Sequence, residues 1–288
     1  MNGKHDRDDR RSDNLSDLPP ETILETDEEM RRAQDAIQRT KPRSDHSRGG
    51  QAKETNASVF YRPTLRPPMP ILKVCDDGKS TGEIVRIRTE HFLIGRTEGD
   101  FRFPNDPQIS ARHLIISSHQ TDGSHSWSIS DLQSENGLFV RVRKGLLQHN
   151  SEFLLGGGKY RIEVASNSNQ SPNRRHSGGT QNWGSSLPDG TTTLTEVLSD
   201  GHGERIVLVK AGYWIGRDAT CDIVRRDDIF ASRRHAQILR SANGWTITNN
   251  KARNGVWLKI PIVNLRHGQE CYFQIGEQRL CLSIGVDK

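Results

Sequence analysis

Short apolar segments separated by turn residues make up residues 68–288 of this 288-residue chain. In one of them, Val85 and Ile87 alternate with Arg86 and Arg88, which is the period-two pattern of a strand with one buried face. The pattern predicts an all-β fold class: two β-sandwich domains of short antiparallel strands, with no long helix. The predicted strands lie near Ile71–Cys75, Glu83–Arg88, Phe92–Ile94, His113–Ser117, Ser126–Ile129, Leu138–Val142, Phe153–Leu155 and Lys159–Val164, and then near Thr193–Leu198, Glu204–Val209, Tyr213–Ile215, His235–Leu239, Trp245–Thr248, Val256–Leu258, Cys271–Ile275 and Arg279–Ile284.

Two polar regions frame these segments. Residues 1–67 contain few aromatic side chains and many charges, so they predict a disordered N-terminal tail. Met30, Ala33 and Ile37 have helical spacing in this tail, which at this length predicts only a transient helix. Residues 167–189 are rich in Ser, Asn and Gly and predict a flexible linker. We therefore expect domains at 68–166 and 190–288 that reorient freely.

An ordered set of polar residues occurs twice at matching spacing. Arg96, which follows Gly95, lies 14 positions before Ser110. Arg217, which follows Gly216, lies 15 positions before Ser232. Each set continues to a tryptophan and, nine positions later, to Asn-Gly; these are Trp127 with Asn136-Gly137 and Trp245 with Asn254-Gly255. Repetition of a whole ordered set indicates an internal duplication.

This set resembles the forkhead-associated (FHA) domain, a module that recognises phosphothreonine with arginine-rich loops. The resemblance implies that the arginine contacts phosphate and peptide backbone, the serine donates its hydroxyl to phosphate, and the asparagine holds the peptide main chain. It further implies phosphate contacts from the residues after the serine and before the asparagine. The implied phosphopeptide-binding residues are Arg96, Ser110 and Asn136 in the first repeat and Arg217, Ser232, Arg233, Arg253 and Asn254 in the second.

Other residues of the motif are expected to support the site. The resemblance implies that His113 and His235 buttress the binding loops from inside the fold. Gly95 and Gly216 are expected to serve backbone geometry, and Trp127 and Trp245 to be core side chains. Gly137 and Gly255 belong to the Asn-Gly pairs, which predict type I′ hairpin turns as well as the peptide contact.

The two repeats differ where the family places additional phosphate contacts. The first repeat has Ala111 and Glu135 at the positions of Arg233 and Arg253. Guanidinium groups make charge-assisted hydrogen bonds to phosphate, whereas a carboxylate repels it. Residues 190–288 also carry 14 basic and 10 acidic side chains, so the basic excess belongs to the second repeat. We therefore expect the second repeat to be the working receptor and the first to be weak, altered or structural.

The tail adds two candidate phosphoacceptors. Thr22 and Thr26 lie in the acidic sequence Glu21–Glu29, which resembles the kinase-acceptor segment of certain bacterial regulators with one FHA domain. A solvated acidic tail is the simpler interpretation. Phosphorylation there would add up to about two negative charges.

These features predict a non-enzymatic signalling adaptor. It would act downstream of a Ser/Thr kinase and bind a phosphothreonine-containing protein. Capture of its own phosphorylated tail would switch it off. The alternative is a structural assembly protein whose FHA folds make phosphate-independent contacts. Nucleic-acid binding ranks last because no exposed aromatic strand platform is evident.

Motif content predicts neither catalysis nor a cofactor. No hydrolase triad order, zinc-protease motif, Walker A sequence or dinucleotide fingerprint occurs. Gly156-Gly157-Gly158-Lys159 lacks the Ser/Thr that a phosphate loop requires and predicts a hairpin turn instead. The four cysteines have no metal-ligand spacing, and no apolar run is long enough to span a membrane. These features predict a cytoplasmic protein without metal or membrane partners.

Overall fold

The computed structural model describes residues 22–26, 29, 69–75, 82–121, 124–164, 191–198 and 201–285. Nearly all regular structure in these ranges is β-strand, which confirms the predicted fold class. The first ten strands are β1 (Ile23–Leu24), β2 (Pro70–Val74), β3 (Ile84–Arg86), β4 (His91–Gly95), β5 (Phe101–Arg102), β6 (Leu114–Thr121), β7 (Ser124–Asp131), β8 (Phe139–Leu147), β9 (Ser151–Leu155) and β10 (Gly158–Glu163). The other ten are β11 (Thr193–Leu198), β12 (Gly201–Val207), β13 (Gly212–Gly216), β14 (Ile223–Val224), β15 (Ala236–Ser241), β16 (Gly244–Asn249), β17 (Val256–Lys259), β18 (Ile262–Arg266), β19 (Glu270–Ile275) and β20 (Gln278–Ile284).

Strands of the two repeats exchange partners. From the second repeat, β18 pairs with β7 of the first repeat, and β20 pairs with β2. In return, the end of β8 pairs with β16, and β10 pairs with β11. Each repeat therefore contributes its last strands to the β-structure begun by the other repeat.

We call the two resulting units the first and the second sandwich. The first contains β2–β7, the beginning of β8, and β18–β20; the second contains the end of β8 and β9–β17. They meet where β8 and β17 pair antiparallel, with Val140 opposite Leu258 and Val142 opposite Val256. All four of these side chains are almost fully buried, with at most 2% exposure.

The pairing runs across the domain boundaries that the sequence predicted. Shared strands hold the two sandwiches together, in contrast to the freely reorienting domains expected from residues 68–166 and 190–288. The predicted linker, 167–189, lies outside the described residues. Within the predicted tail, residues 22–26 pack on β8, while the helical spacing at Met30, Ala33 and Ile37 also falls outside the described residues.

Core positions follow the alternation read from the sequence. Trp127 and Trp245 are 6% and 3% exposed, which confirms both as core side chains. The turn at Gly156-Gly157 joins β9 to β10 as an antiparallel hairpin, as predicted. Within the described ranges, no helix is long and apolar enough to cross a membrane.

Candidate functional site

In each sandwich, backbone hydrogen bonds connect the end of one strand, β4 or β13, to the loop that contains Ser110 or Ser232. We call this loop the serine loop. The Arg96 amide donates to the Ser110 carbonyl at 2.9 Å, and the Arg217 amide donates to the Ser232 carbonyl at 3.1 Å. The preceding glycine makes this approach possible. A Cβ on Gly95 would lie 2.1 Å from the Ala111 carbonyl oxygen, and the same substitution at Gly216 would be equally blocked. Both glycines therefore allow a close backbone approach that a Cβ would block.

A buried histidine ties the serine loop to the Asn-Gly loop. The Ser232 amide donates to Nδ1 of His235 at 3.1 Å, so Nε2 carries the proton and donates to the Gly255 carbonyl at 2.9 Å. His113 makes the same pair of bonds to Ser110 and Gly137, at 3.1 and 3.2 Å. Burial lowers the pKa of both histidines, which keeps them neutral at neutral pH. Each histidine therefore connects the two loops of its own sandwich from a buried position.

The side-chain amide of the asparagine connects the Asn-Gly loop to the serine loop. Nδ2 of Asn254 donates to the Phe230 carbonyl at 2.8 Å, and Nδ2 of Asn136 donates to the Gln108 carbonyl at 2.8 Å. The type I′ turn predicted at these pairs is wrong. Only the glycines have positive φ, +84° at Gly137 and +67° at Gly255, whereas a type I′ turn needs positive φ at both central residues. The strands on either side of each pair also have other partners.

The second sandwich presents a basic cleft at this end. Arg217 and Arg233 line it together with Arg226, Asp218 and Ala219. The carboxylate of Asp218 accepts hydrogen bonds from the Thr220 amide at 3.0 Å and hydroxyl at 2.9 Å, which lower its pKa. All three guanidinium groups are solvent-exposed and therefore available to an anion.

Sequence reasoning did not select Arg226. Its signal was the pair Arg225-Arg226 directly after a short apolar segment, but no equivalent pair exists in the first repeat. Arg225 is instead committed to ion pairs with Glu196, at 3.0 Å, and Glu204, at 3.6 Å. Arg253 is exposed on the neighbouring Asn-Gly loop, and its carbonyl accepts from Nη2 of Arg141 at 3.1 Å.

The first sandwich has a different electrostatic surface at the same place. The Arg96 side chain is half-buried, and its Nη1 lies 3.5 Å from the Pro107 carbonyl. Ser110 already accepts a hydrogen bond through its hydroxyl oxygen from the Glu135 amide at 3.0 Å. The carboxylate of Glu135 is exposed beside it.

Each serine loop rests on a hairpin from the other repeat. Asp228 accepts from the Gly157 amide at 2.9 Å and also caps its own loop at the Phe230 amide, at 2.9 Å. Asp106 accepts from the Glu277 amide at 2.8 Å and caps the Gln108 amide at 3.0 Å. Sequence reasoning missed both aspartates; the signal was the preference of Asp for bonding an amide two residues on.

Comparison with known proteins identifies the family of the two repeats. The FHA domain family model matches residues 92–156 and 213–276. No protein of curated function matches the chain. The chain is therefore a tandem FHA-domain protein, built on modules whose family recognises phosphopeptides.

Three solved structures resemble parts of the chain. Full-length yeast Pml1p is 20% identical, with a TM-score of 0.25 over 28% of this chain and 62% of its own. A structure from work on phosphothreonine-dependent FHA domain interactions is 33% identical, with a TM-score of 0.20 over 25% of this chain and 68% of its own. Mycobacterium tuberculosis EmbR in complex with a low-affinity phosphopeptide is 18% identical, with a TM-score of 0.22 over 33% and 24%. The chain thus covers less than two thirds of the first and third of these proteins.

Proposed function

We propose that this chain is a non-enzymatic phosphothreonine receptor that acts mainly through the second sandwich. The observation that carries the proposal is the cleft lined by Arg217, Arg226 and Arg233. Guanidinium groups donate several hydrogen bonds in a planar fork, which matches the geometry of a phosphate group. The matching surface of the first sandwich carries Glu135 instead, which repels phosphate.

The proposal assigns a role to each residue from the family pattern and from the position of its side chain. Arg217 and Arg233 bind the phosphate, Ser232 donates its hydroxyl to it, and Arg253 adds positive charge from the neighbouring loop. Asn254 uses its amide oxygen and its second N–H to hold the peptide main chain, since its other N–H is occupied by Phe230. In the first sandwich, Arg96, Ser110 and Asn136 form a weaker version of this site.

The partner is a protein phosphorylated on threonine by a Ser/Thr kinase. None of the four cysteines forms a disulfide in the described part of the chain, which suits a reducing compartment, and we place the protein in the cytoplasm on that basis. Self-capture of phosphorylated Thr22 or Thr26 is a second mode of use. It requires the segment around Ile23 and Leu24 to leave its position on β8.

A structural assembly function is the second candidate, favoured at the first sandwich by Glu135 and by the hydroxyl of Ser110 that already accepts a backbone amide. There the surface would bind a partner without phosphate.

Fluorescence polarisation of labelled peptides against the full chain tests the proposal. Phosphothreonine peptides from a degenerate library are titrated beside their unphosphorylated forms and beside residues 21–30 phosphorylated on Thr22 or Thr26. Arg217→Ala is expected to weaken phosphate-dependent binding by about tenfold to a hundredfold, because it removes charged hydrogen bonds worth about 1.5–3 kcal/mol each. Arg96→Ala is the matched control with little effect. Binding without phosphate dependence would refute the receptor and leave the assembly function.

A further inference from the structure

A short N-terminal segment is docked where the two sandwiches meet. Ile23 and Leu24 pair antiparallel with β8, opposite Lys144 and Val142, and the Glu25 amide follows by donating to the Arg141 carbonyl at 3.4 Å. Glu25 is only 4% exposed. A carboxylate this deeply buried requires a charged or hydrogen-bonding partner.

The partners of Glu25 belong to the second site. Its Oε2 accepts from Nε of Arg141 at 2.8 Å and from Nδ2 of Asn249 at 3.1 Å. Asn249 caps the beginning of the Asn-Gly loop through the Ala252 amide, at 3.1 Å, and Arg141 donates to the Arg253 carbonyl near its end. One carboxylate from the tail thus holds both ends of the loop that presents Arg253 and Asn254.

The first site needs no such help from the tail. Asp131 occupies the position of Asn249, since each lies four residues after the core tryptophan of its repeat. The Asp131 carboxylate accepts from the Ser134 amide at 3.2 Å and from the Ser134 hydroxyl. Where the first loop carries its own carboxylate, the second carries a neutral amide and obtains a carboxylate from Glu25.

We propose that Glu25 is a positioning residue that completes the second phosphopeptide site, so that docking of residues 22–26 raises the affinity of that site alone. Without Glu25, Arg141 keeps a buried positive charge beside Trp257, whose ring also faces Arg279 at 5.4 Å. Burial, and after it the nearby Arg141 guanidinium, lower the pKa of Arg279. Arg141 would then move and release Arg253 and Asn254. The inference rests on the proposed function of the second site.

The test uses the full chain with one site active at a time. Arg96→Ala leaves the second site, and Arg217→Ala leaves the first; each is titrated with a fluorescein-labelled phosphothreonine peptide selected from a degenerate library. In the Arg96→Ala chain, Glu25→Gln is expected to weaken binding by about tenfold, a usual size for coupling between sites. In the Arg217→Ala chain it is expected to change nothing.

A control and a second readout separate positioning from stability. Glu29→Gln removes the exposed 2.7 Å ion pair with Arg143 on the same segment and is expected to change second-site affinity by less than about twofold. Hydrogen exchange at the amides of residues 252–255 should accelerate with Glu25→Gln, while residues 134–137 stay unchanged. Equal weakening at both sites, or unchanged exchange in 252–255, would overturn the positioning role. If no phosphothreonine peptide binds the unsubstituted chain, the proposed function fails, and hydrogen exchange alone decides the role of Glu25.

Discussion

The two candidate binding sites share a supporting frame of loop residues and differ in the charged side chains that surround it. Both have a glycine that permits close approach, a neutral buried histidine and an asparagine bonded to the serine loop. The first surrounds this frame with Glu135 and a half-buried Arg96; the second surrounds it with exposed arginines. The shared residues therefore build the loop geometry, whereas the residues that vary set the charge at the surface of each site.

The largest effect is expected from separating the repeats. Residues 68–166 lack β18–β20, and residues 190–288 lack β8–β10. Each repeat alone therefore loses the strands that pair with its own strands and the hairpin that supports its own serine loop. We expect neither to unfold cooperatively as a monomer, as measured by urea titration of circular dichroism.

The matched control keeps all strands and breaks only the chain. A protease site inserted between residues 165 and 190 is cleaved in the folded protein, and the two pieces are expected to elute together in size-exclusion chromatography. Independent folding of either repeat, or separation of the cleaved pieces, would contradict the exchange of strands.

The exchanged strands show which parts of the fold could be predicted from the sequence. Most strands within one repeat follow from alternation, but β18 and the end of β8 were missed. Lys144-Gly145 interrupts the apolar pattern of β8. β18 contains the strand-favouring Ile262 and Val263, but it is only five residues long and directly follows Pro261. Their partner strands lie roughly 100 residues or more away along the chain, and a local pattern does not encode such pairing.

The site divides in a similar way. Arginine, serine, histidine and asparagine could be predicted because they repeat in order along the chain. The local caps made by Asp106 and Asp228 have a sequence signal, but their bonds to the opposite repeat do not, and neither does the contact of Glu25 with Arg141.

The next effect concerns the support of the second serine loop. Asp228→Ala leaves the Gly157 and Phe230 amides without their acceptor and is expected to lower the free energy of unfolding by about 1–3 kcal/mol and to weaken second-site binding. Urea titration and peptide titration of the Arg96→Ala chain check this. The exposed Asp227→Ala is the neighbouring control; an equal loss there would contradict the assigned role of Asp228.

The charge difference between the two sites can be tested by introducing arginines at the first site. Ala111→Arg with Glu135→Arg copies Arg233 and Arg253 and is expected to strengthen phosphothreonine binding in the Arg217→Ala chain by about tenfold or more. The gain should shrink with salt, which polarisation titrations at two ionic strengths would show. Absence of any gain would mean that the charge difference does not explain the ranking of the two sites.

A smaller effect on the free energy of unfolding is expected from pH, and it should involve the buried histidine of each sandwich. Burial lowers the pKa of His113 and His235 below the ordinary value of 6.5, so the unfolded chain binds protons first as the pH falls. Stability is therefore full above about pH 6.5 and declines below it. Urea titrations from about pH 7.5 to about 5.5 check this, with the exposed His267→Gln as control. A flat profile in this range would contradict the neutral buried histidines.

The most direct measurement of the central claim is the paired titration of Arg217→Ala and Arg96→Ala full-length chains with a phosphothreonine peptide and its unphosphorylated form. The account predicts that Arg217→Ala abolishes most of the phosphate-dependent affinity and that Arg96→Ala retains it. Equal losses, or a larger loss with Arg96→Ala, would contradict the assignment of the second sandwich as the receptor.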